Sequence, residues 1–160
     1  MSASIRVAVS ADAGEIAELG NQLGYDLSTP ETAERIRRIL SRIDHRVFVA
    51  EVNRVIVGWV HAIFAEYFES EAFVLIGGLV VDKRHRRQGI AGMLMASAEE
   101  WARERGCFIV RLTSSSTRTA AHRFYERIGY EHIKTQYAFI KTLASAPRKD
   151  IRRFVPNVED

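Results

Sequence analysis

LVVDKRHRRQGIAGMLM, residues 79–95, passes from an apolar run through five consecutive basic or potentially basic residues, Lys83 to Arg87, into a glycine-containing segment and a second apolar stretch. The charges alone fit a nucleic-acid patch, a nuclear address, a solvated turn or a cradle for a phosphorylated small molecule. The flanks discriminate among these. AFVLIGGLVV (72–81) is almost continuously apolar, as a strand buried on both faces requires. Gln88 to Arg105 reads as a helix, with Ile90, Leu94, Ala98 and Trp101 on one stripe and Gly106 closing it. The basic run therefore connects a buried parallel strand to a helix N-terminus, where unpaired N–H groups and a positive partial charge favour an anion. Gly89 and Gly92, with the small Ala91 between them, let a phosphate approach the main chain, and Arg86 and Arg87 add charge beside it. A solvated turn needs no glycine at a helix start, where it costs about 1 kcal/mol relative to alanine. A nucleic-acid surface wants aromatic residues or a recognition helix, whereas this helix is acidic at Glu99, Glu100 and Glu104. GIAG does not supply the G-x-G-x-x-G of a dinucleotide fold.

Outward from this unit, the N-terminal half begins with a strand over Ile5 to Val9 and a helix from Ser10 or Asp12 to about Leu23, ended by Gly24. Ser28 with Glu31 fits a capping box, and Pro30 suits the first turn of a second helix that stops near Arg42. Strands at Arg46 to Val52 and Val55 to Ala65 flank Asn53-Arg54, which predicts an antiparallel hairpin. Beyond the central strand and helix come a strand over Phe108 to Leu112, a helix carrying Ala121, Phe124, Tyr125 and Ile128 and ended by Gly129, and a closing strand over His132 to Leu143. This is an α/β pattern: a right-handed βαβ unit between antiparallel hairpins. The 160 residues suit one domain over residues 1–143, with 144–160 as a C-terminal extension, loosely ordered or packed on a partner subunit.

Composition excludes more than it selects. Hydrophobic residues at 47% and charged ones at 27% match an ordinary globular protein, and no apolar run reaches the roughly 20 residues of a spanning helix. No cationic start with an apolar h-region opens the chain, so a cytoplasmic protein is expected. The net charge of +3 is too small to imply nucleic acid. The one cysteine, Cys107, opens an apolar run and reads as a small core residue. His45, His61, His85, His122 and His132 are scattered without metal-ligand spacing, and no metal is predicted.

RRQGIA, Arg86 to Ala91, matches the [R/Q]-x-x-G-x-[G/A] motif of the GCN5-related N-acetyltransferases, and residues 79–95 resemble that family's strand, loop and helix throughout. AAHRFYERIGYE (120–131) resembles its later helix ending in a Phe-Tyr pair and Gly-aromatic. The likeness covers Ile5 to Leu143, and the second half is similar to aminoalkylphosphonate N-acetyltransferases and related small-amine enzymes. It implies a mixed, mostly antiparallel sheet with a splayed parallel strand pair and about four helices. The activity implied is acetyl transfer from acetyl-coenzyme A to a small-molecule amine, by direct attack in a ternary complex. Neither nucleic acid nor a membrane is expected as a partner, with a weak nucleic-acid binder kept as a third reading for the Lys83–Arg87 run alone, and a homodimer is common among relatives.

The same resemblance implies roles for particular residues. The backbone of Arg87, Gln88, Gly89, Ile90, Ala91 and Gly92, beside Arg86, would hold the pyrophosphate. Leu79, Val80 and Val81 would line the pantetheine arm, with Leu79 and Val81 pairing to it like an added strand. Gly77-Gly78 inside a strand signals a bulge, and a bend there would open the slot. Tyr125 matches the general acid for the departing thiolate, and Tyr25 and Asp26 fall where relatives cover the acceptor. An alkylamine with a pKa near about 10.4 is nucleophilic in roughly one molecule in a thousand at neutral pH, so a base at the amine is worth about 4 kcal/mol. Relatives commonly carry a glutamate on the central strand, and here that position is Leu75. Glu66, Glu69 and Glu71, or His61, are the replacements open to the sequence. Leu75 also leaves open a coenzyme-A-binding sensor that transfers poorly; a protein or peptide N-acetyltransferase is a further alternative.

Overall fold

Five strands in chain order make one sheet: β1 (Ser4–Val7), β2 (His45–Val52), β3 (Val55–Ala65), β4 (Phe73–Val81) and β5 (Val110–Arg111). Pairs β1/β2, β2/β3 and β3/β4 are antiparallel, and β4/β5 is parallel. The computed structural model describes residues 2–24 and 26–143. The chain forms two compact units, one of residues up to Gln22 with Asp26–Thr113, the other of Leu23–Tyr25 with the chain from Ser114 onward. Four α-helices occur among the described residues: α1 (Ala13–Gly20), α2 (Pro30–Leu40), α3 (Ile90–Glu104) and, in the second unit, α4 (Thr119–Arg127). The mixed, mostly antiparallel sheet with its parallel pair and four helices agrees with the expected class.

Alternation along β3 assigns the two faces of the sheet. A side chain at Gly58 would meet Leu94 of α3, whereas the next residue, Trp59, donates its ring N–H to the Ile16 carbonyl of α1 at 3.1 Å. On the α3 face Leu94, Met95, Ala98 and Trp101 are buried, on the other Ile16 and Ala17. Cys107 is buried as a core residue, and its burial pushes the thiol pKa up. One ion-pair cluster anchors the N-terminal strand. Arg6 donates to both oxygens of the buried Asp12 carboxylate (2.7 and 2.9 Å) and to Glu51 of β2 (2.9 and 2.6 Å).

Several boundaries differ from the sequence reading, each for a local reason. β1 stops at Val7 because Asp12 takes the Val9 N–H at 2.7 Å and a 3-10 turn starts at Ser10. The second helix is capped by Thr29, whose hydroxyl accepts from the Thr32 N–H, rather than by Ser28; Pro30 at the first helical position fixes the cap one residue later. β5 is reduced to two residues, and Phe108, expected within it, is exposed. The closing strand over His132 to Leu143 is absent: no described strand pairs with these residues, and Tyr137 and Phe139 are exposed. Alternation says which face a strand would turn inward, but a strand exists only through a hydrogen-bonded neighbour. The expected C-terminal extension, 144–160, lies outside the described residues.

Two irregularities of β4 shape its working edge. Its ladder with β3 runs His61↔Gly78 and then Ala62↔Ile76, so Gly77 is the extra residue of a bulge, as the double glycine predicts. Its ladder with β5 comprises only Val74↔Val110 and Leu75↔Arg111, so the strands part before the bulge. The bulge turns both glycines toward the α1 face. A side chain at Gly78 would begin 2.8 Å from the Trp59 ring, and one at Gly77 would begin 3.1 Å from both His61 and Ile63. Gly78→Ala should therefore cost about 1–3 kcal/mol through displacement of Trp59. The check is urea denaturation, with a lower midpoint at an unchanged slope.

Candidate active site

The C-terminal half of β4 offers a backbone edge. The Asp82 N–H donates to the Val57 carbonyl at 2.8 Å, which fixes the hydrogen-bonding phase of the β3/β4 ladder. In an antiparallel pair alternate residues exchange bonds, so Val80 turns its amide groups to β3 while Leu79 and Val81 turn theirs to the opposite edge. β5 has no ladder there. The Val81 carbonyl accepts from Arg86 Nε at 3.3 Å, which agrees with that direction.

The chain then makes a 3-10 turn over Lys83–His85 and two left-handed residues, Arg87 (φ 60°) and Gly89 (φ 79°), before α3 starts at Ile90. Left-handed residues ahead of a helix can turn backbone N–H groups toward an anion. Because Gly89 caps the helix, α3 begins two residues later than the apolar pattern predicts. The first helical bond runs from the Met93 N–H to the Gly89 carbonyl, so the N–H groups of Ile90, Ala91 and Gly92 face out of the helix end. A side chain at Gly92 would meet nothing within 4 Å. Among the described residues no packing calls for glycine there.

Of the five basic residues, Arg84 turns back to its own strand. Asp82 is buried and accepts from the Arg84 N–H at 2.9 Å and from the Arg84 guanidinium at 2.9 and 3.3 Å, and Lys83 N–H donates to Gln22 at 3.0 Å. The Arg84 side chain, then its N–H, hold the Asp82 carboxyl well below the usual carboxylate range.

The other expected residues fall in separate places. Glu66 and Glu69 lie in the turn between β3 and β4, at the end of β4 remote from the loop and roughly 15 Å along the sheet from the bulge. Glu71 shares that turn. Glu66 lines an open depression of about 770 Å³ together with Arg42, Asp44 and Arg105. Asp26 is exposed and accepts from the Ser28 hydroxyl at 2.9 Å, while Tyr25 lies outside the described residues. Tyr125 is on α4, in the second unit, with its ring edge-on to Tyr130 at 6.0 Å between centroids; burial pushes its phenol pKa up. Leu75 pairs with Ile63 at the usual acid position.

A contact between His61 and His45 was not legible in the sequence. The His61 Nε2 and His45 Nδ1 atoms are 2.8 Å apart, with the rings stacked at 5.1 Å. Burial, and then the neighbouring His45, push the His61 pKa down to about 4; burial lowers that of His45. Among the described residues no group of histidine, cysteine and acidic side chains forms a metal site, and no helix is long and apolar enough to cross a membrane.

An open strand edge leading into a glycine-capped helix N-terminus suits an extended ligand that ends in an anion. The chain matches the acetyltransferase (GNAT) family over residues 15–130 and belongs to it: it is an N-acetyltransferase that uses acetyl-coenzyme A. It is 26% identical to an aminoglycoside N(6')-acetyltransferase type 1 of Serratia marcescens over 113 residues, 68% of this chain and 77% of that one. Over 65 residues, 41% of each chain, it is 42% identical to an aminoalkylphosphonate N-acetyltransferase of Salmonella typhimurium. The fold resembles that of AAC(6')-Iy in complex with the bisubstrate analogue CoA-S-monomethyl-acetylneamine. The TM-score is 0.80 at 20% identity, over 89% of this chain and all of that one.

Two outcomes test this loop. Gly92→Ala should raise stability by about 1 kcal/mol in urea denaturation. Gly92→Phe should weaken acetyl-coenzyme A binding by about tenfold or more, about 1.4 kcal/mol, in isothermal titration at unchanged circular dichroism. Asp82 has a folded pKa below its unfolded one, so its contribution is complete above about pH 4 and is lost as the pH falls further. Asp82→Asn should flatten that acid limb of the stability curve, read from urea midpoints between about pH 2 and 5.

Proposed function

We propose that the protein acetylates the primary amine of a small, polar, amine-bearing molecule by direct attack on acetyl-coenzyme A in a ternary complex. The observation that carries this is the continuity of the open β4 edge with the left-handed residues Arg87 and Gly89 and the α3 N-terminus, next to a side-chain-free bulge at Gly77-Gly78. Leu79 and Val81 bond the pantetheine amides, Val80 backs them from the sheet side, and Arg86 to Gly92 receive the pyrophosphate. The thioester then lies toward the bulge. Similarity to the aminoglycoside and aminoalkylphosphonate enzymes supports an acceptor whose amine sits among further polar groups. The reading places the enzyme in the cytoplasm, with a homodimer as its expected assembly.

In the reaction the amine nitrogen attacks the thioester carbonyl, the C–S bond breaks, and the nitrogen loses one proton. The departing thiolate takes a proton from Tyr125, whose raised pKa keeps the phenol protonated at neutral pH. By the family resemblance Asp26 belongs to the acceptor side of the site. Leu75, which cannot take a proton, motivates a second reading, a coenzyme-A-binding protein with little transfer.

A thiol-release assay over aminoglycosides, aminoalkylphosphonates and simple diamines, paired with calorimetry of acetyl-coenzyme A, separates the two. Turnover of at least one amine is expected, and binding without turnover favours the second reading. Tyr125→Phe should lower kcat by about a hundredfold with little change in acetyl-coenzyme A affinity; an unchanged kcat removes Tyr125 from the mechanism.

A further inference from the structure

We propose that His61, backed by His45 and Asp44, is the general base of this transferase, drawing the amine proton from the bulge and conducting it across the sheet to solvent. The inference rests on the transferase reading above and names the group that replaces the absent carboxylate at Leu75. Leu75 pairs with Ile63, and Ile63 shares a face with His61 two residues earlier, so the base is displaced by one strand on the same face.

The geometry is a line of three groups. A side chain at Gly77 would begin 3.1 Å from His61 Nδ1, so this ring nitrogen borders the space that the exposed glycine leaves open. The other nitrogen of His61, Nε2, lies 2.8 Å from His45 Nδ1, and His45 Nε2 is 3.9 Å from the Asp44 carboxylate. Arg42 holds Asp44 through two hydrogen bonds (2.9 and 2.8 Å) and keeps it ionised, with its pKa lowered to about 2. Asp44 also lines the open depression beside Arg105. The line therefore starts at the bulge and ends at water.

The carboxylate selects the tautomers. A negative charge facing His45 Nε2 favours a proton on that nitrogen, which leaves His45 Nδ1 as an acceptor. The 2.8 Å contact then requires the proton on His61 Nε2, and His61 Nδ1 presents its lone pair to the bulge. Burial keeps His61 neutral at working pH, so the lone pair is available. On attack the amine N–H proton passes to His61 Nδ1, and the Nε2 proton of His61 passes to His45 Nδ1. The charge then rests on His45 beside Asp44 until water takes the proton. One proton enters the line and one leaves, and no other reagent is needed. Asp44 and His45 are positioning residues in this scheme. Glu66 and Glu69 lie near the remote end of β4, on the turn from β3.

Two measurements test the relay. Long-range proton–nitrogen NMR of the wild-type protein should show His61 protonated at Nε2 only and His45 at Nε2, with the His45 tautomer changed in Asp44→Asn. A His61 protonated at Nδ1 overturns the proposal whatever the turnover. In the thiol-release assay His61→Ala should lower kcat about a hundredfold or more, leave acetyl-coenzyme A affinity in calorimetry unchanged, and regain activity with added imidazole, a rescue that a purely structural loss would not give. Undiminished kcat in His61→Ala beside an active wild type overturns the relay alone. A wild-type protein that turns over no amine overturns the transferase reading and the relay with it.

Discussion

Main-chain amide groups in a sheet need partners, and β4 is given one on its outer side for only two residues. Beyond Leu75 the strands part, and the groups of Leu79 and Val81 face an edge that a pantetheine arm, itself built of amides, can complete. Unsatisfied backbone is a liability unless water or a ligand reaches it. The arrangement is tolerable because the edge is open, and it is useful for the same reason. The loop that follows continues the theme, since Arg87 and Gly89 in left-handed conformation and the first turn of α3 present further N–H groups with no partner inside the helix. The protein thus leaves backbone groups without internal ladder partners along one strand edge and at one helix end.

The bulge at Gly77 connects this edge to the chemistry. An extra residue in β4 turns two successive positions toward the α1 face, where Trp59 crowds Gly78 and His61 with Ile63 lies close to Gly77. Trp59 is held there by its bond to Ile16, so the position of α1, the shape of the bulge and the orientation of the His61 ring are linked through one crowded spot.

The central unit was legible in the sequence because its signals are local: the apolar run into β4, the double glycine, the basic connection and the stripe of α3 each depend on residues within a few positions of one another. The helix start was displaced only because two left-handed residues precede it. The closing segment was misread since alternation carries no information about a partner edge. The histidine pair was hidden for a sharper reason. Continuing the hairpin register set by Val52↔Val55 would put His45 opposite Ala62, on the other face of the sheet from His61. The irregularity at Ala50/Glu51 moves the register by one, places His45 opposite Ile63 and brings the two rings onto one face. No residue type in that stretch announces the bulge.

The basic run also changes meaning once its partners are known. Nucleic-acid recognition would need its cations exposed as a set and facing a run of phosphates. Here Arg84 is bound to the buried Asp82, and Arg86 leans on the Val81 carbonyl. The N–H dipoles at the start of α3 form a cluster of small extent, which would suit a single pyrophosphate better than a charged polymer. The carboxylate of Asp82 matters here in spite of its sign. By binding both the N–H and the guanidinium of Arg84 it fixes the turn that leads into α3, so a buried negative charge braces a segment rich in cations.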